Sequence, residues 1–104
     1  MISILIPTYN YNVFPLVASL HKQAEKLALT YEINVYDDCS PNPVTANEAI
    51  NDLTNASYSI LKKNIGRSAI RNLLAKNARF DNLLFLDADT KVIRNDFLEK
   101  YIAS

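Results

Sequence analysis

Asp87 and Asp89 flank a single alanine at the end of the apolar run Leu83-Leu84-Phe85-Leu86. Two carboxylates this close repel each other unless a cation lies between or before them. In an extended segment alternate side chains point the same way, which puts both carboxylates on one side. A hard divalent cation, Mg²⁺ or Mn²⁺, takes oxygen ligands and keeps positions open for water and substrate phosphates. The pair therefore points to a metal that neutralises phosphate. Two more apolar segments end in polar chemistry. Pro7-Thr8-Tyr9-Asn10 follows "ISILI", and Asp37-Asp38-Cys39-Ser40 follows "YEINVY".

Each piece also has a purely structural reading. Asp37 and Asp38 suit a helix cap or the opening of a turn. Tyr9 and Tyr11 suit a protein rim. Arg67 and Arg71, one helical turn apart, suit a solvated face, and His21 suits the inside of an amphipathic helix. Cys39 has no neighbouring histidine to activate it as a nucleophile. Only in combination do the three strand ends speak for a site.

The composition narrows the field. The chain has 104 residues, the size of one domain, with 49% hydrophobic residues and therefore a real core. Lys+Arg and Asp+Glu both number 11, so the basic stripe of a nucleic-acid binder is not expected. A single cysteine, Cys39, gives no disulfide framework, and a single histidine, His21, gives no histidine-built zinc site. No run has the length of a membrane span, and the N-terminus lacks the pattern of a signal peptide. A cytoplasmic location is the expectation. Gly66 is the only glycine, which excludes both the G-x-G-x-x-G turn and the P-loop. Any phosphate must be held without a glycine-rich cradle.

The elements that must carry these residues alternate. "ISILI" (2–6) predicts a strand stopped by Pro7. Val13, Leu16, Val17, Leu20, Ala24 and Leu27 recur at helical spacing. "YEINVYDD" (31–38) predicts a second strand. Asn42 as N-cap and Pro43 at the first helical position predict a helix with Ala46, Ile50 and Leu53 inward. "SYSILKK" (57–63) predicts a third strand. "RSAIRNLLAKNA" predicts a helix with Ile70, Leu73, Leu74 and Ala78 inward. "NLLFLD" (82–87) predicts a fourth strand, central and covered on both faces. A last helix over "NDFLEKYIA" has Asn95 as a cap. This order predicts an α/β fold, mainly a parallel sheet with helices on both faces. In such a sheet ligands bind beyond the carboxyl ends of the strands. All three polar strand ends should meet there.

At these residues the chain resembles a known family. "SILIPTYN", "VYDDCSP", "NIGRSAIRNLLAKNA" and "LLFLDADT" occur in the order and spacing of a family 2 glycosyltransferase of the GT-A, Rossmann-like fold. The resemblance covers nearly the whole chain and implies a single domain over 1–104, the nucleotide-sugar-binding half of such an enzyme. It implies a UDP-type nucleotide-sugar donor, with Mn²⁺ or Mg²⁺ as cofactor. Pro7, Thr8 and Tyr9 would line the base and ribose pocket, Asp38 would contact the base, and Arg67 would approach the nucleotide. Asp87 would lie near ribose and metal, and Asp89 would be the main metal ligand. The family usually has "DDGS" where this chain has "DDCS". The acceptor-side carboxylate that serves as general base would lie in later segments. The expected acceptor is a saccharide or another molecule, and the longer enzyme would sit in the cytoplasm or at the inner face of a membrane. An uncovered sheet edge would favour self-association.

Rival readings differ in where the acidic residues fall. A haloacid-dehalogenase-type phosphotransferase places D-x-D after its first strand and continues it to a Thr or Val where this chain has Lys91. A receiver-like signalling module needs its acidic pair after the first strand, which here ends in Pro-Thr-Tyr-Asn. A nucleotide-binding module without transferase activity shares every feature of the donor half.

Overall fold

The fold is described from a computed structural model covering residues 1–91 and 96–103. Four parallel strands form one sheet in the order β3-β2-β1-β4. They are β1 (Ile2–Thr8), β2 (Tyr31–Asp37), β3 (Ala56–Ile60) and β4 (Leu83–Phe85). Helix α1 (Phe14–Lys26) joins β1 to β2, a 3₁₀ helix (Thr45–Asp52) joins β2 to β3, and α2 (Arg67–Asn77) joins β3 to β4. Helix α3 (Phe97–Ala103) comes last, and the expected cap Asn95 lies outside the described residues. The predicted α/β fold with a parallel sheet is the fold found.

Alternation along β1 builds two cores. Ile2, Ile4 and Ile6 pack with Val13, Val17 and Leu20 of the α1 side, Ile33 and Val35 of β2, Ile50 and Leu98. Leu5 points to the other face and is fully buried, as are Ile70 and Leu74 of α2, which packs on β1 and β2. Both faces of the sheet are therefore covered, as parallel strands require.

Strand β1 does not stop at Pro7. The backbone N–H of Ile2 bonds Thr30 O, and Thr8 O accepts from Asp38 N, so even residues face β2. Ser3 N bonds Asn82 O, and Leu5 O accepts from Leu86 N, so odd residues face β4. The β4 ladder ends at the Leu5–Phe85 pair. The N–H that Pro7 lacks would point past that end, where no strand waits for it.

Strand β4 is shorter than expected and is an edge of the sheet among the described residues. Leu84 is buried, whereas Leu83, Phe85 and Leu86 are half-buried. The chain leaves the ladder after Leu86 because Thr90 N bonds Asp87 O and closes a turn. The helix predicted from Asn42 and Pro43 is also corrected: it begins at Thr45, has Val44 as N-cap and is 3₁₀. Three residues per turn place Val44, Asn47, Ile50 and Leu53 on one face. Asn47 and Ile50 are accordingly fully buried and Ala46 is exposed.

At the end of the sheet away from the strand C-termini, a buried Glu32 organises the entry to β4. Its Oε2 accepts from Ser3 Oγ at 2.6 Å and from Arg79 N at 2.6 Å, and Ser3 Oγ accepts from Phe80 N at 3.2 Å. Two tyrosines close the other side. Tyr31 donates to Glu25 Oε2 (3.0 Å), with Thr54 O at 3.2 Å, and Tyr58 donates to Asp37 Oδ2 at 2.7 Å. Burial first, and then the carboxylate acceptor, pushes each phenol up to about 12.

Helix α1 ends in a Schellman motif: Ala28 N bonds Glu25 O and Leu29 N bonds Ala24 O, with Ala28 at φ +53°. Alanine in this left-handed position carries a Cβ penalty that glycine lacks. Ala28→Gly should raise the unfolding free energy by about 0.5–1 kcal/mol, net of the extra chain entropy of glycine. Denaturant titration measures it, and a loss of stability would contradict the motif. The two tyrosines predict a pH effect of definite sign. Between about pH 10 and 12 the unfolded phenols release protons that the folded ones keep, so stability falls across that window. Tyr58→Phe should flatten the fall, which melts recorded across the window would show.

Candidate functional site

Strands β1, β2 and β3 follow one another across the sheet, and α2 then carries the chain back to add β4 on the other side of β1. The reversal lies between β1 and β4, which is where ligands bind in open parallel sheets. A cleft of about 370 Å³ opens at this place. Its lining is Pro7, Thr8, Tyr9 and Tyr11 from the end of β1 and beyond, Asp38 after β2, Arg67, Ile70 and Arg71 from the first turns of α2, and Asp87, Ala88 and Asp89 after β4. Every residue expected at the site is in that lining.

Thr8 lies at the floor of the chemistry. It is 4% exposed, and its hydroxyl is buried with no hydrogen-bond partner among the described residues. An orphaned hydroxyl costs about 1–3 kcal/mol unless something else satisfies it. Tyr9 and Tyr11 are about half exposed, at 48% and 46%, and flank Asn10, which takes the left-handed conformation at φ +50°.

The aspartates of "DDCS" do different work from each other. Asp37 is buried beneath the turn; its Oδ1 accepts from Ser40 N (2.8 Å) and Ser40 Oγ (2.6 Å), and its Oδ2 from Tyr58. Asp38 faces the cleft but is not a free acceptor. Its Oδ1 accepts from Ile65 N at 2.8 Å and its Oδ2 from Gly66 N at 3.1 Å. It thus caps α2 from a distance, since Gly66 at the N-cap offers no side chain. The helix-cap reading holds for Asp38, and the helix it caps is α2. Each Asp38 oxygen keeps a second lone pair for a ligand. Cys39, at the position where the resemblance implies glycine, sits at φ +60°, so the turn forms in the left-handed region despite its side chain. Gly66, at φ +88° and ψ 163°, occupies a region that only glycine enters readily.

Besides Asp38, four charged groups share the cleft. Arg67 stands at the first position of α2. Arg71, one turn on, is exposed as a solvated face would have it, but its guanidinium carbon lies 4.7 Å from the centre of the Phe85 ring, a cation–π contact that fixes it beside β4. The i, i+4 spacing from Arg67 and the adjacency to the inward Ile70 were the signals for it. Asp87 and Asp89 are exposed. They come together through the Asp87–Thr90 turn and not through strand alternation. No ion pair joins these guanidinium groups to these carboxylates.

A divalent cation fits this donor set in one way only. Among the described residues no group of three or more His, Cys, Asp or Glu gathers, so a protein-enclosed metal site is absent there. Two exposed carboxylates do suit Mg²⁺ or Mn²⁺, which complete their shells with water and phosphate oxygens. His21 stands apart, in α1 against the Tyr31 ring at 6.3 Å, and takes no part in the cleft. No described helix is long and apolar enough to cross a membrane.

Comparison with known proteins agrees with this geometry. No curated protein matches the chain in sequence. Among solved structures, S. aureus TarS 1–349 is similar at 30% identity and a TM-score of 0.76, over 98% of this chain and 31% of TarS 1–349. The same TarS fragment in complex with UDP-GlcNAc matches at 30% identity and a TM-score of 0.73, over 98% of this chain and 30% of that one. Its complex with UDP matches at 31% identity and 0.74, over 98% and 31%. The chain thus spans about a third of the TarS fragment. The sequence model of Glycosyl transferase family 2 matches residues 3–104, which is nearly the whole chain, and the chain belongs to that family.

Proposed function

We propose that this chain is the donor-binding half of an inverting glycosyltransferase and that its cleft holds a UDP-type nucleotide sugar with Mn²⁺ or Mg²⁺. The observation that carries the reading is the cleft's composition: beside the capping Asp38 stand two guanidinium groups and two exposed carboxylates, unpaired with each other, around a buried hydroxyl without a partner among the described residues. Charges of both signs left unpaired in one cleft suit a ligand that brings both signs, and a diphosphate with its cation is such a ligand. The TarS complexes with UDP-GlcNAc and UDP support the choice of ligand.

In this reading Pro7, Thr8 and Tyr9 line the base and ribose pocket, and the Thr8 hydroxyl gains its missing partner from the ligand. Asp38 receives the base through the lone pairs that Ile65 and Gly66 leave open. Arg67 and Arg71 face the phosphates, with Phe85 holding Arg71 in place. Asp87 lies near the ribose, and Asp87 with Asp89 would hold the cation, which supplies charge neutralisation for the leaving diphosphate when bound. Inverting transfer also needs a base for the acceptor's proton. The four carboxylates near the strand ends all have other work, so that base and the saccharide or other acceptor site belong to a segment outside these 104 residues. The position of D-x-D after the last strand of the sheet, and not after β1, speaks against the phosphotransferase and receiver alternatives.

UDP at about 100 times its dissociation constant should stabilise the protein by about 2.7 kcal/mol. The shift should shrink with a chelator or with Asp89→Asn, read as melting temperature; equal shifts with and without metal would remove the metal from Asp87 and Asp89. Asp38→Ala should act twice. It weakens UDP binding while metal dependence survives, and it destabilises the free protein by about 1–3 kcal/mol because two backbone N–H groups lose their acceptor. Calorimetric titration and denaturation of the same sample separate the two effects, and an unchanged unfolding free energy would contradict the α2 cap.

A further inference from the structure

The loop after β1 carries both cleft tyrosines and contains no glycine. Two buried polar side chains from the β2–β3 connection hold it. Ser40 Oγ accepts from Asn10 N at 2.8 Å. Asn47, fully buried in the 3₁₀ helix, spans the other end: its Nδ2 donates to Tyr11 O at 2.9 Å and its Oδ1 accepts from Val13 N at 2.9 Å. One amide thus fixes a carbonyl and an N–H two residues apart. Neither group is met by a strand or helix, since β1 ends at Thr8 and α1 begins at Phe14.

We propose that Asn47 is a positioning residue for the nucleotide: it touches no ligand but sets the loop that presents Tyr9 and Tyr11 to the cleft. This rests on the donor-binding reading above. The chemistry is demanding, because the site needs a donor and an acceptor on one planar group. Asparagine supplies both, and among the other small side chains of its shape only a protonated carboxylic acid does. An ionised carboxylate still accepts from Val13 N but faces Tyr11 O with a lone pair. The Tyr58 phenol lies beside Asn47, and Asp37 and Glu48 act on that same phenol. Two of them are acidic, so a carboxyl introduced there takes up its proton more readily than one in water.

The test compares the parent with Asn47→Asp and Asn47→Leu, each titrated with UDP and Mn²⁺ at about pH 8 and about pH 5, together with hydrogen exchange of the Val13 amide. Affinities are read as the ratio of variant to parent at each pH, which cancels the titration of the ligand and the cleft. Asn47→Leu should bind about tenfold more weakly at both pH values and exchange its Val13 amide faster. Asn47→Asp should be about tenfold weaker at the higher pH and return to near the parent at the lower one. A role in packing alone would not move with pH. Parent-like binding of Asn47→Asp at both pH values, or an equal loss at both, overturns the proposal. If Asn47→Leu does not fold, Asn47→Asp decides alone, since in acid its side chain has the shape and hydrogen bonding of asparagine. If the parent itself binds no UDP, the donor reading fails separately. The Val13 amide of Asn47→Asp then decides, protected in acid and faster in base upholding the positioning of the loop, and no change overturning it.

Discussion

Two adjacent buried carboxylates at the end of β2 hold the cleft together. Asp37, 1% exposed, collects Ser40 and Tyr58; Asp38, 8% exposed, collects the backbone at Ile65 and Gly66. Neighbouring negative charges inside a protein are costly unless each is met by donors. Here the donors come from opposite sides, one set from the turn and β3, the other from the start of α2. The same bonds that make the charges tolerable also fix the parts they reach. Through Ser40 the Asp37 cluster reaches Asn10, and through Gly66 the Asp38 cap aims the first two turns of α2, with Arg67 and Arg71, at β4.

What could be read in advance was whatever depends on local periodicity. The apolar runs of β1 and β2, the inward stripe of α1 and the inward Ile70 and Leu74 of α2 all lie where the spacing puts them. Most of the cleft's lining was legible as well, because polar residues collect at strand ends and the sheet brings those ends together. What could not be read depends on partners distant in the chain. Asp38 and the N–H of Gly66 are 28 positions apart, and nothing near Asp38 announces which helix it caps. The 3₁₀ helix failed for another reason. Over eight residues a period of 3.0 and one of 3.6 select different inward positions, and the α-helical choice favoured apolar Ala46 over polar Asn47. The extent of β1 past Pro7 followed from which neighbour each residue faces, a property of the sheet and not of proline alone.

The lack of glycine shaped the site in a consistent way. Elsewhere phosphate is cradled by a glycine-rich turn whose backbone approaches the ligand closely. Here the only glycine, Gly66, is spent on the entry to α2, and the turns at Asn10 and Cys39 reach left-handed backbone with side chains attached. In the proposed reading the work of a cradle passes to side chains: arginines on α2, aspartates after β4, and buried amide and hydroxyl groups that hold the loops. Such a cleft depends on side-chain order more than on backbone shape.

The pairing of β1 with β4 bears on how the molecule comes into being. Ser3 pairs with Leu83, so β1 waits for a strand far along the chain. As the chain leaves the ribosome, β1, α1, β2 and β3 can close on each other early, since each neighbour follows soon after the last. The outer edge of β1 then stays open until residue 85 emerges, with its N–H and C=O groups on the β4 side unpaired. Contacts of such long sequence separation form slowly. The cleft, which lies along that same seam, therefore forms only once β4 is in place, and a nascent chain halted before β4 would carry a core but no cleft.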